Sequence, residues 1–99
     1  DVTARVAAAF SGQFGEDAIS VPAQSASEDF SDIPNALGCP YTYWALGGTD
    51  AGEWRRAQAA GTLRDIPANH SPKFAPVIEP TLRMGTAAIV VAALAWLAP

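Results

Sequence analysis

Tyr41-Thr42-Tyr43-Trp44-Ala45-Leu46-Gly47-Gly48 is the stretch on which the fold class turns. Its aromatic residues fit a pleated surface and its glycine pair ends the run, so it reads as a strand with both faces covered. A shorter strand is expected over residues 18–22, where Ile19 and Val21 alternate with small residues and Pro22 closes the segment. Outward from these strands the pattern becomes helical. Val2, Val6, Phe10 and Phe14 recur every four residues and lay one apolar stripe along a helix, with Asp1 placed to cap it and Gly15 to stop it. Ser25 with Glu28 three positions later has the capping-box spacing, which predicts a short helix over residues 27–37 that Pro34 kinks or shortens.

The second half of the chain is punctuated by proline and glycine. Residues 52–60 fit a surface helical turn, although Gly48, Gly52 and Gly61 weaken that reading. Pro67, Pro72, Pro76 and Asn69 forbid regular structure over residues 66–76 and give a rigid loop. Pro80 suits the first turn of a last helix over residues 81–98, which is apolar on nearly every side and is expected to be buried. Strands alternating with helices predict an α/β layered architecture, with short parallel or mixed strands under covering helices. A helix apolar all round needs partners on several faces, and two short strands with a few helices cannot supply them. The expectation is a segment of a larger domain.

Bulk composition narrows the function classes. With 99 residues, 49% of them hydrophobic and 16% charged, the chain is too apolar for a disordered segment and fits one small domain or part of one. A formal charge of −4 and scattered basic residues, apart from Arg55-Arg56, argue against a nucleic-acid partner. The apolar run from Met84 to Leu97 falls short of the about 20 residues that span a bilayer, so no membrane partner is expected. The one cysteine, Cys39, cannot form an internal disulfide and sits in a Gly-Cys-Pro turn without a neighbouring cation to activate it. One thiol and no visible leader suggest a cytoplasmic protein.

Few residues are candidates for chemistry. His70 is the only histidine, and the proline-stiffened loop around it gives the fixed orientation that a metal ligand needs. Glu28 and Asp29 are adjacent and so would not face one point on a helix; a place near the positive end of a helix dipole accounts for both. Gly47-Gly48-Thr49 lacks the rest of a phosphate loop and reads as a turn ending a strand. Arg55, Arg56 and Glu53 look like solvated surface, with Trp54 among them hinting at a covered patch. Ser27, Ser31 and Ser71 have no nucleophile elbow around them, so a serine hydrolase is not expected.

The order of motifs carries a resemblance. Ser27-Glu28-Asp29-Phe30-Ser31, then Leu37-Gly38 with Pro40, then Tyr43-Trp44-Ala45-Leu46-Gly47, then Asn69-His70-Ser71-Pro72-Lys73-Phe74 and an apolar helix resemble the end of the hippurate hydrolases and N-acyl-amino-acid amidohydrolases. These belong to the co-catalytic zinc metallopeptidase-like group. The resemblance covers essentially the whole chain. It implies that residues 1–99 form the C-terminal segment of the catalytic domain, after an inserted lid domain that commonly dimerises, with no separate second domain. It also implies a hydrolase acting on N-acyl amino acids or small peptide-like amides. Two divalent ions, zinc foremost with manganese or nickel as substitutes, would activate water for that hydrolysis. His70 would be the last metal ligand and Ser27 a substrate contact, while the other ligands and the general base lie outside this chain. On that reading the chain alone holds no catalytic residue, binds metal poorly and is inactive. The competing reading is a stand-alone structural or protein-binding domain derived from such an enzyme.

Overall fold

The computed structural model describes residues 1–22 and 28–98. Among the described residues four helices are present: α1 (Val2–Phe14), α2 (Asp32–Ala36), α3 (Ala51–Ala60) and α4 (Ile78–Leu97), with short 3₁₀ turns at Gly15–Asp17 and Leu63–Asp65. The described residues fall into two compact units, one from Asp1–Trp44 with Ala87–Pro99 and the other from Ala45–Thr86.

Helix α1 forms where its stripe and caps place it. The Ala4 N–H donates to Asp1 Oδ1 at 2.9 Å, and Gly15 ends the helix with a φ of 57°. Val6, in the middle of the stripe, is buried, and Phe10 lies edge-on to Phe14 at 5.6 Å and to Trp44 at 5.4 Å between ring centroids. A second aromatic group in the same unit sets Phe30 against Tyr41 and Tyr43, at 5.8 and 5.3 Å. Near the end of α4 the Arg5 guanidinium sits 4.3 Å from the centre of the Trp96 ring, a cation–π contact worth about 0.5–1 kcal/mol at an exposed position.

The α/β architecture is overturned: no strand occurs among the described residues, and the structure is helical. Residues 18–22 and 41–46 are irregular chain. β-propensity reports how well side chains fit a pleated, partly covered surface, and it makes a strand only where a second segment completes the hydrogen-bond ladder. No such ladder forms here. Among the described residues, one backbone hydrogen bond joins segments distant in sequence, from the Val77 N–H to the Gly48 carbonyl at 2.9 Å. The aromatic residues of the supposed strand are also not covered on both faces, since Tyr43 is 57% exposed and Trp44 39%.

The buried C-terminal helix is corrected as well. Ala88 is the one buried residue of α4, while Ile78, Leu82, Ile89, Leu94 and Leu97 are all exposed. An apolar composition states what cover a helix needs for stability; it does not supply the facing element. By length and composition alone, α4 could cross a membrane: it has 20 residues, about 30 Å, and a window of mean hydropathy 1.5. Core helices of soluble proteins pass the same test. Within α4, Glu79 keeps an extended backbone ahead of Pro80, as residues before proline tend to, and the regular helix starts at the proline.

Helix α3 is better formed than its glycines suggest. The Glu53 N–H donates to Asp50 Oδ1 at 2.8 Å, and Gly61 at a φ of 70° turns the chain so that the Thr62 and Gly61 N–H groups reach the Ala57 and Gln58 carbonyls. This is a Schellman ending. No residue of α3 is buried, so its caps carry much of its stability. Asp50→Ala should lower the stability of this helix by about 1 kcal/mol, read as faster hydrogen exchange at the Glu53 amide. Unchanged exchange there would show that the cap is dispensable.

Candidate functional site

His70 lies on two successive turns in the unit Ala45–Thr86. The Ser71 N–H donates to the Ala68 carbonyl at 3.0 Å, which places Asn69 and His70 at the centre of the first turn. His70 has a φ of 71° and is the one non-glycine residue with a positive φ among those described, so the turn has the type II pattern. In the second turn the Phe74 N–H donates to the Ser71 carbonyl at 3.0 Å, and the Lys73 N–H donates to Ser71 Oγ at 3.2 Å. The result is an exposed His70 on a backbone tied down on its C-terminal side.

That conformation has an energetic cost. The left-handed region disfavours L-residues by roughly 1–2 kcal/mol, and glycine is the residue that escapes the penalty. His70→Gly should therefore stabilise the fold by about 0.5–1 kcal/mol after glycine's greater unfolded-state entropy is set against the relief. Urea denaturation of the two proteins would measure it. A loss of stability would mean that the imidazole makes compensating contacts that outweigh the backbone strain.

The other candidates sit as follows. Ser27 lies outside the described residues, as does Ser25 of the expected capping box. The helix near them is shorter than residues 27–37. It runs over Asp32–Ala36, includes Pro34, and starts from Ser31 without a side-chain cap. Glu28 and Asp29 thus precede the helix instead of occupying its first turn, where Asp32 stands. The Asp29 carbonyl accepts the Asp32 N–H at 3.0 Å, so its contribution is backbone. Cys39 is an exposed free thiol.

Among the described residues, no group of three or more His, Cys, Asp or Glu side chains is arranged to hold a metal ion. A catalytic zinc usually takes about three protein ligands, so His70 alone does not make up a two-metal centre. No reaction step is assignable to this chain's residues through such a centre.

Beside the His70 turn is an open cleft of about 490 Å³ lined by Leu46, Trp54, Leu63, Ile66, Asn69 and Phe74, among others. Among the described residues, no ionisable side chain lines it. The size falls in the usual range for small-molecule sites, about 300–1,000 Å³. The aromatic residue expected under a covered patch, Trp54, is 46% exposed on this cleft. Gly48 is the position whose role the sequence did not reveal. A Cβ there would meet Pro76 Cβ at 3.0 Å, and its carbonyl holds the Val77 N–H, so the glycine permits a close approach at the end of the His70 loop.

Searches for similarity find no family model and no solved structure that match the chain.

Proposed function

We propose that the chain is the C-terminal segment of a metal-dependent amidohydrolase that cleaves N-acyl amino acids or small peptide-like amides, to which it contributes His70 as a metal ligand. The observation that carries this reading is the state of His70. It is the sole histidine, exposed, and held at a left-handed φ of 71°. Strain kept at an exposed ionisable residue is characteristic of functional positions. The motif order Ser-Glu-Asp-Phe-Ser, Tyr-Trp-Ala-Leu-Gly, Asn-His-Ser-Pro-Lys-Phe supports the same reading. The metals are zinc by preference, with manganese or nickel as substitutes, because all three accept an imidazole. Cytoplasm is the compartment proposed, and the resemblance implies a lid domain of the kind that commonly dimerises.

The thin core supports a segment over a complete enzyme. In the unit Ala45–Thr86 no described residue is buried, while Leu46, Trp54, Leu63, Phe74, Ile78 and Leu82 are exposed. About 40 residues with no buried side chain among those described and no disulfide lack the usual means by which small domains become stable. Cover from further polypeptide would supply it.

The alternative is a structural or protein-binding domain that buries α4 against a partner; the exposure of Ile89, Leu94 and Leu97 is the observation in its favour. A turnover assay tests the first reading, and the oligomeric state of the isolated chain separates the two. The 99-residue chain, given N-acyl amino acids and excess zinc or manganese, should show no turnover above a His70→Ala control. Activity above that control would sink the proposal that the other ligands lie elsewhere. A monodisperse oligomer of the isolated chain would favour the binding domain.

A further inference from the structure

We draw no further inference here: the strongest candidate, the open apolar cleft beside the His70 turn with Leu46, Trp54, Leu63 and Phe74 in its wall, is an unpartnered groove, and nothing in the structure shows what covers or fills it.

Discussion

If the chain is the amidohydrolase segment proposed above, His70→Ala in the full-length protein should all but abolish metal-dependent turnover. Losing an outer-shell partner of a metal site typically costs about 10–100-fold in metal affinity or activity, and losing a ligand should cost more. Among this chain's described residues no second donor cluster stands ready to take over. Metal content of the purified variant, measured beside kcat/KM, is the decisive readout, because the defect should appear first as lost metal. The substitution leaves the backbone problem in place, since alanine also carries a Cβ and tolerates the left-handed region somewhat less well than histidine. Fold stability should therefore move little. His70→Gly provides the complementary case: it should lose metal and turnover as fully as the alanine variant while gaining stability. Opposite movements of stability and activity at one residue are what a strained ligand produces. A variant that keeps both metal and turnover would remove His70 from the site.

The sequence made parts of this molecule legible and hid others for physical reasons. Helix α1 was readable because its determinants are local: a four-residue apolar repeat, an Asp at one end and a Gly at the other. The irregular run over residues 66–76 was readable for the same reason, since each proline restricts its own backbone. The two strands were misread because a ladder depends on a partner segment, and Tyr41, Tyr43 and Trp44 engage Phe30 and Phe10 through their rings instead. The C-terminal helix showed the same limit. Its extent is nearly as expected, at Ile78–Leu97, but its burial depended on cover that sequence periodicity cannot supply. At the site, the Asn69-His70 pair did hold a signal, because both residue types tolerate a left-handed backbone better than most. The close approach at Gly48 held none, because Pro76 lies 28 positions along the chain and nothing local marks the pair.

Gly48→Val should be the most damaging single substitution for the fold of Ala45–Thr86. The new Cβ would lie 3.0 Å from Pro76 Cβ, 3.4 Å from its Cγ and 3.5 Å from its Cα. A flexible side chain could swing away, but the proline ring is fixed to its own backbone, so the main chain must shift. Overpacking of this kind costs roughly 1–3 kcal/mol, and the branched valine should fall at the upper end. The same shift strains the Val77 N–H to Gly48 carbonyl bond, whose loss adds about 0.5–1.5 kcal/mol. With no buried residue described in this unit to absorb the loss, the combined effect should melt it at temperatures the parent survives. Gly47→Ala is the control. A Cβ at that position meets nothing within 4 Å, so its effect should stay within about 0.5 kcal/mol of zero. The readouts are the thermal midpoint and hydrogen exchange at the Val77 amide, which should become fast in the valine variant alone. Equal behaviour of the two variants would mean that the Gly48–Pro76 approach does not hold the unit together. The fold and the site meet at this contact. Pro76 closes the loop that carries His70, so releasing it should loosen the presentation of the imidazole; on the proposed reading, metal affinity of the full-length protein should then fall even though no ligand has been changed.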